Sequence, residues 1–510
     1  MKLMRHYYSG ERVRNADRLA EELEIPGIVL MENAGRGAAE LIAERYPSAG
    51  KFTILCGPGN NGGDGFVVAR RLALLGREPF VIMTRRSADE YAGDAAVAAK
   101  AAISCVRAAC SEDMSDEDIK AAISNADILV DALLGTGSKG APHGEAERLI
   151  NISAEAAHII SLDIPSGIDS DTGEIQGEAV KAELTVTFLA AKTGMGIAPA
   201  SLYCGEIKIS DIGVCPDLVL HGRPDLTGYS SRDIACMSPI TPKDIYKGAR
   251  GSLIVVGGSR NFRGAPLLAS LGALRAGCGL VFLAVPAFMT AEASAFLPEA
   301  ILLPLPDDGA FIRADLLMDA LSPHLGKCDA MVLGPGLGRS HDTEVLTALL
   351  CNTWDKPLLL DADALRNFKN AEHNIDKHMD NALITPHAGE AAYLLNIGSG
   401  EVSSHRMSSC ESLAKKFGTV LLKGPNTLIF SGHEKRVIES GGPELAIPGS
   451  GDVLSGAIGA FLASGMNPID AAALGALVHA SAGARLGRVN GILARELADN
   501  IITGDALNAL

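Results

Sequence analysis

Short, almost unbroken apolar runs that end in glycine or aspartate, each followed by a segment of helix length, recur along this chain and constrain its fold more than any other feature. In the first half they are F-T-I-L-C-G (52–57), P-F-V-I-M-T (79–84), A-D-I-L-V-D-A (126–132) and H-I-I-S-L-D-I (158–164). Such continuous apolarity fits strands buried on both faces, and parallel neighbours need crossover helices, so the pattern predicts a doubly wound α/β sheet. Functional residues are then expected at the carboxyl ends of the strands. The pattern restarts at G-S-L-I-V-V-G-G-S (251–259), with a small-residue helix from Gly264 to Gly277 and further strands at 279–285, 329–334, 357–361, 381–385 and 419–424. Between the halves, residues 217–250 lose apolar periodicity and carry Pro224 and Pro239. A chain of 510 residues exceeds what one core serves, so two domains are expected, 1–225 and 226–510.

Sixty-one acidic against 45 basic residues leave a net charge of −16, which opposes general attraction to nucleic acid or to an anionic membrane. A polyanionic ligand would have to be held locally, by backbone N–H groups, metal ions or a few lysines. The ten cysteines include no C-x-x-C pair, which fits reduced thiols in the cytoplasm. The start, M-K-L-M-R-H-Y-Y-S-G, has no apolar signal core, and no run of about 18 apolar residues follows it.

P-G-N-N-G-G-D-G (58–65) is read as a turn between the strand at 52–57 and a helix at 66–76, an order that presents backbone N–H groups to a phosphate. No G-K-[ST] follows, so this loop is built to bind and not to cleave. Asp131 precedes L-L-G-T-G-S-K-G (133–140) and Asp163 precedes I-P-S-G-I-D-S (164–170); each either caps its turn or faces the crevice. In I-P-G-S-G-D (447–452), Gly449, Ser450 and Gly451 form an anion-binding turn before a helix from Val453. Asp452 there is either a carboxylate stabilised by the helix dipole or a base that deprotonates a hydroxyl attacking a phosphoryl group. G-P-G-L-G (334–338), D-A-D-A-L (361–365), T-P-H-A-G-E (385–390) and K-G-P-N-T (423–427) also follow apolar runs.

L-M-E-N-A-G, G-N-N-G-G-D-G, D-A-L-L-G-T-G and L-D-I-P-S-G, in this order, resemble the NAD(P)H-hydrate epimerase domain, a Rossmann-like fold. The resemblance implies that Asn60, Asn61, Gly62, Gly63 and Asp64, with Gly135, Thr136, Gly137, Ser138, Lys139, Gly140 and Ala141, hold the hydrated dinucleotide, with Asp163 beside the damaged ring. It also implies a potassium ion on Asn61, Asp131 and Ser166, three hard donors that could equally form a hydrogen-bond cluster without metal. Lys192, in F-L-A-A-K-T-G-M, matches a lysine position near the pocket or is a surface lysine after a strand.

The second-half motifs resemble the ribokinase-like superfamily and, within it, the ADP- or ATP-dependent NAD(P)H-hydrate dehydratases. That implies nucleotide contacts at Lys423, Gly424, Pro425, Asn426, Thr427 and Gly451, and a hydrated nicotinamide facing Ala265, Gly336, His387 and Asp452. Glu390 falls where related kinases use an acid to hold magnesium-bound water. His387 replaces an asparagine of sugar kinases, unless it is a buried structural histidine.

The expected protein is therefore a bifunctional repair enzyme, an isomerase and a lyase, with Asp163 and Asp452 as its catalytic groups. Its partners would be hydrated NADH or NADPH and ADP or ATP with Mg2+ and K+, in a homo-oligomer that binds neither nucleic acid nor membrane. The alternative is a ribokinase-like small-molecule kinase with a non-catalytic, nucleotide-sensing N-terminal domain.

Overall fold

A computed structural model describes residues 4–239, 244, 247–376 and 379–504. The chain divides into two compact units, one spanning His6–Leu226 and the other made of Thr227–Leu510 together with Met1–Arg5.

The first unit starts with α1 (Gly10–Glu22) and α2 (Gly27–Arg45), the latter opening directly after Pro26. Seven strands follow: β1 (Lys51–Cys56), β2 (Glu78–Met83), β3 (Arg107–Cys110), β4 (Ile128–Ala132), β5 (Ile159–Leu162), β6 (Leu184–Phe188) and β7 (Glu206–Ser210). Their order is β3-β2-β1-β4-β5-β6-β7, every pair parallel. The chain steps outward from β1 through β2 to β3 and then returns to β4 on the other side, so the crevice between the ends of β1 and β4 is the topological switch point, where such sheets bind ligands.

One local expectation is corrected there. The glycine-rich stretch is not a turn: α3 runs from Asn60 to Leu74, immediately after Gly59. Its glycines serve close packing. A Cβ on Gly62 would fall 1.9 Å from Gly57 O, one on Gly63 2.6 Å from Met31 Cε, and one on Gly65 2.7 Å from Ala132 Cβ. The helix start is thereby pressed onto the ends of β1 and β4.

In the second unit, β8 (Ser252–Val256), α4 (Gly264–Arg275), β9 (Leu280–Pro286), β10 (Ile301–Leu305), β11 (Ala330–Leu333), β12 (Leu358–Leu360) and β13 (Ala382–Ile384) come first. Then follow α5 (Ala388–Leu395), β14 (Thr419–Leu422), β15 (Thr427–Ser431), β16 (Glu434–Ile438), α6 (Ser450–Ala463) and α7 (Pro468–Arg485). The order is β10-β9-β8-β11-β12-β13-β14-β15-β16, parallel as far as β14 and antiparallel beyond it. The edge strand β10 and the hairpin of β15 and β16 were not expected from the sequence. An edge position tolerates Pro304, which lacks a ladder donor.

Here too a helix begins earlier than expected, at Ser450 and not at Val453, with Gly449 at φ 84° as its cap. The small residues of α6 let it press on α4, because a Cβ on Gly456 would lie 1.8 Å from Ala269 O and one on Gly272 2.4 Å from Val453 O. Nearly all of α6 and α7 is buried in this unit's core, so Asp452 sits in the first turn of a rigid helix.

Candidate active sites

At the switch point of the first unit lies a cavity of about 430 Å³. Asn60, Asn61, Asp64, Gly135, Thr136, Gly137, Ser138 and Asp163 line it on the strand-end side, and residues of α1 and α2, among them Val13, Asp17, Leu30 and Met31, on the other. Gly62, Gly63, Lys139, Gly140 and Ala141 are not among its lining residues. The first two are packed behind it, and Lys139 Nζ turns to Asp171 Oδ2 at 2.9 Å and Asp169 Oδ2 at 3.4 Å.

Asp163 occupies the residue after β5 with φ 63°, a left-handed conformation that costs a non-glycine residue about 1 kcal/mol or more and is held here by the Asp163 N–H donating to Val186 O at 2.8 Å. Its Oδ2 accepts the Thr136 N–H at 3.0 Å, and its Oδ1 forms an ion pair with Lys192. Lys192 is not a surface residue: it is fully buried, and its Nζ also donates to Thr187 Oγ1 at 2.7 Å and Phe188 O at 3.1 Å. A two-residue parallel pairing of Ala191 and Lys192 with Tyr7 and Tyr8 holds the lysine there. Around this pair stand two further carboxyls. Partial burial and the Asp163 charge push Asp17 up to about 6, and burial with the same charge pushes Asp64 well above the carboxylate range.

Asn61, Asp131 and Ser166 meet just below. Asp131, fully buried, accepts Ser166 Oγ–H at 2.6 Å, Ser161 Oγ–H at 2.8 Å, and the N–H groups of Ser166 at 2.9 Å and Leu133 at 3.2 Å. Asn61 Nδ2 donates to Leu134 O at 2.9 Å, and Leu134 N donates to Ser166 Oγ at 2.9 Å. Asn61 Oδ1 is buried without a hydrogen-bond partner, an orphan acceptor of the kind a cation satisfies.

In the second unit, Lys423, Asp361, Glu390 and Asp452 converge at the ends of β12 to β14 and the start of α6. Lys423 Nζ lies 2.9 Å from Asp361 Oδ1 and 4.0 Å from Glu390 Oε2, and a Cβ on Gly451 would stand 3.5 Å from that nitrogen. Burial opposes ionisation of Asp361, yet the Lys423 ammonium and the Ser455 hydroxyl outweigh it and hold the carboxyl below its usual range. Asp452 is pushed up to about 7 by burial and by the Asp361 charge, and Glu390 likewise to about 7, chiefly by burial. Both acids therefore change charge near neutrality, as proton-transfer groups do.

The turn 423–427 is held by Arg406, which donates to the carbonyls of Leu422 and Lys423 at 3.3 Å and of Asn426 at 3.4 Å. A Cβ on Gly424 would meet Arg406 Nη1 at 2.4 Å, and Asn426 has φ 47°. Thr427 Oγ1 closes the turn on Gly424 O at 3.1 Å. His387 is not buried; with its side chain 61% exposed, it caps α5 through Nδ1, which accepts the N–H groups of Gly389 at 3.0 Å and Glu390 at 3.3 Å. Gly336, at φ 63°, has Phe262 O 2.3 Å and Ala265 Cβ 3.1 Å from a built Cβ, so the structure brings it together with Ala265.

Asp17, Asp361, Arg406 and His479 were given no role from sequence. His479, held neutral by burial, contacts Ser450 Oγ at 3.0 Å and fixes the first residue of α6. Asp361 carried a signal, since D-A-D-A-L follows a strand, but nothing in the motif says which aspartate turns inward.

The two folds and their strand-end sites define a two-unit α/β enzyme, with a dinucleotide-type crevice in the first unit and a lysine and carboxylate cluster at a helix N-terminus in the second. Residues 27–194 match the family described as YjeF-related protein N-terminus, and residues 253–503 the family described as NAD(P)H-hydrate dehydratase. The bifunctional NAD(P)H-hydrate repair enzyme of Thermanaerovibrio acidaminovorans is 42% identical over 96% of this chain and 96% of its own, and that of Pyrobaculum aerophilum 35% identical over 92% of this chain and 91% of its own. The chain belongs to the family of bifunctional NAD(P)H-hydrate repair enzymes. Among solved structures, a ribokinase-like superfamily protein of Enterococcus faecalis aligns with a TM-score of 0.48 and 22% identity over 54% of this chain and 93% of that one. No described helix is long and apolar enough to cross a membrane.

Proposed function

We propose that the first-unit cavity epimerises NAD(P)H hydrated at C6 and that the second-unit cluster dehydrates it with the help of a nucleotide. The observation that carries this reading is the pairing, at two strand-end sites of one chain, of an Asp163–Lys192 dyad facing a cavity with an Asp452 carboxyl tuned to about 7 beside a lysine. In the cavity, backbone groups of Gly135 to Ser138 and the start of α3 receive the dinucleotide, and Asp163 moves the proton that lets the C6 hydroxyl leave and return.

At the second site hydroxide is a poor leaving group. Asp452 takes the hydroxyl proton as the oxygen attacks the terminal phosphoryl group of ADP or ATP; Lys423 and the N–H groups at the start of α6 stabilise the charge that develops. With AMP or ADP released, the ring nitrogen lone pair expels phosphate and forms a C=N bond, and loss of the C5 proton to water then returns the pair to nitrogen and restores the C5=C6 double bond. Glu390 is a hard oxygen donor that fits the hydration shell of a Mg2+ ion arriving with the nucleotide, and Asn61 Oδ1, Asp131 and Ser166 fit K+. When bound, Mg2+ neutralises phosphate charge and K+ draws the strand-end loops together.

The test supplies each epimer to the full chain with no nucleotide, with ADP and with ATP. Interconversion alone without nucleotide, and NAD(P)H plus free phosphate with it, is the expected result. Accumulation of a stable phosphorylated product, with no interconversion, would instead establish a small-molecule kinase carrying a non-catalytic first unit.

A further inference from the structure

The first cavity is lined by carboxyls that the mechanism above does not use, Asp17, Glu21, Asp64 and Asp94, and of these Asp17 stands on the wall facing Asp163. Asp17 sits on α1, which is pinned over the strand-end loops by Arg14 Nη1 donating to Thr136 O at 2.9 Å and by the Gly10 N–H donating to Asp171 Oδ1 at 2.6 Å. Val13 and Asp17 thus belong to a covering wall, and Asn61, Gly135 and Asp163 to the sheet-edge wall of the same cavity. No hydrogen bond or ion pair ties Asp17 down among the described residues, unlike Asp163 with its lysine and its Thr136 N–H.

We infer that Asp17 is the second acid/base group of epimerisation, serving the ring face opposite to the one Asp163 serves. The inference rests on the epimerase reading of this cavity. Inversion at C6 needs a proton delivered on one face and removed on the other. In one direction Asp17 protonates the C6 hydroxyl, the C–O bond breaks with its electron pair leaving on water, and the ring nitrogen lone pair forms a C=N bond. Water then adds to C6 from the other face, the C=N pair returns to nitrogen, and Asp163 takes the proton released. The reverse direction exchanges the roles, so no oxidant, reductant or co-reactant other than water is consumed.

The charges around Asp17 suit the task. Arg14 and Glu21 lie on its own helix; Asp94, Asp64 and Asp163 face it from other elements, with Lys192 beneath Asp163. Partial burial and the Asp163 charge raise Asp17 to about 6, so Asp17 holds its proton in the acid range and loses it as pH rises through about 6.

Asp17→Asn and Asp17→Glu, with Asp163→Asn alongside, are assayed in the full chain for epimer interconversion without nucleotide, and for dehydration with ADP as a control of fold. Asp17→Asn is expected to lower kcat by about two orders of magnitude or more with KM changed by no more than about threefold. It should also abolish the fall in kcat/KM as pH rises through about 6, while Asp17→Glu restores part of the rate. Wild-type kcat and pH profile in Asp17→Asn, or a loss confined to KM, overturns the inference alone. A wild-type chain that does not interconvert the epimers, or an Asp163→Asn variant that still does so at full rate, overturns the epimerase reading and this inference with it.

Discussion

Lys423 Nζ lies 2.9 Å from Asp361 Oδ1, and Ser455 Oγ–H closes on the other oxygen of the same carboxylate at 2.5 Å. Asp361 is only 1% exposed, so the pair fixes a cation and removes most of its anion from solvent. Ser455 lies one helical turn beyond Gly451, with its Oγ 3.0 Å from Gly451 O, so its bond to Asp361 ties the lysine, the buried acid and the start of α6 into one unit. The ammonium is therefore already in place where a phosphoryl group would develop charge, and does not have to be recruited.

Removing one partner of a buried pair leaves the other uncompensated, at a cost of about 3 kcal/mol or more. Asp361→Asn should accordingly lower the stability of the second unit, seen as an earlier transition in urea unfolding. It should also cut nucleotide-driven dehydration, with epimerisation unchanged. Unfolding at the wild-type midpoint together with normal dehydration would show that Lys423 does not depend on Asp361.

Asp452 is raised to about 7, so it is protonated below that pH and cannot act as a base there. Dehydration should fall as pH drops through about 7, while the epimerase reaction keeps its own profile. Asp452→Asn should reduce dehydration by about two orders of magnitude or more and abolish the dependence. Glu390 changes charge in the same range, and Glu390→Gln separates the two: a limb near 7 that survives in it belongs to Asp452.

The motifs were legible because parallel strands are continuous apolar runs, and whatever follows one lies at the ligand edge. What the glycines do there was not. In N-N-G-G-D-G and in G-S-G-D they read as turn formers, whereas Gly62 and Gly65 are small because backbone and side-chain atoms of neighbouring strands occupy the space a Cβ needs, and the helices begin at Asn60 and Ser450. Lys192 was ambiguous because its burial depends on a two-residue pairing with Tyr7 and Tyr8, more than 180 positions away. Asp17 lies in an ordinary charged helix, G-E-R-V-R-N-A-D-R-L-A-E-E, whose composition carries no hint of the cavity beneath it. Arg406 was missed for the same reason, since its role is to satisfy three carbonyls of a turn it meets only in space.

Lys192 makes a sharper test of the first site than its surface alternative would have allowed. Lys192→Met keeps length and apolar bulk but leaves Asp163 facing buried surroundings with no countercharge. Epimerisation should fall by about tenfold to a hundredfold, and dehydration of the competent epimer should continue at its normal rate. Equal loss of both activities would mean global unfolding, and a refolding control by far-ultraviolet circular dichroism distinguishes that case. Unchanged epimerisation would reduce the ion pair to a structural contact.

Asn61, Asp131 and Ser166 bring hard oxygen donors from α3, β4 and the segment after β5 to one point, and Asn61 Oδ1 there is buried with no partner. An unsatisfied buried acceptor costs about 1–3 kcal/mol, so a cation that reaches it should stabilise the first unit as well as assist its chemistry. Asp131 supplies the negative charge, already oriented by Ser161 and Ser166, and no thiolate or imidazole is present in the set to favour zinc. Thermal unfolding of the first unit should therefore shift upward with potassium relative to a bulky organic cation at equal ionic strength, with sodium giving a different shift because ion size alters the fit. Epimerisation should follow the same order. Asn61→Ala removes the orphan oxygen without touching the four hydrogen bonds to Asp131, and should abolish the cation dependence while the unit still folds. Identical melting and epimerisation in all three salts, with Asn61→Ala indistinguishable from wild type, would leave the three residues as a hydrogen-bond cluster and nothing more.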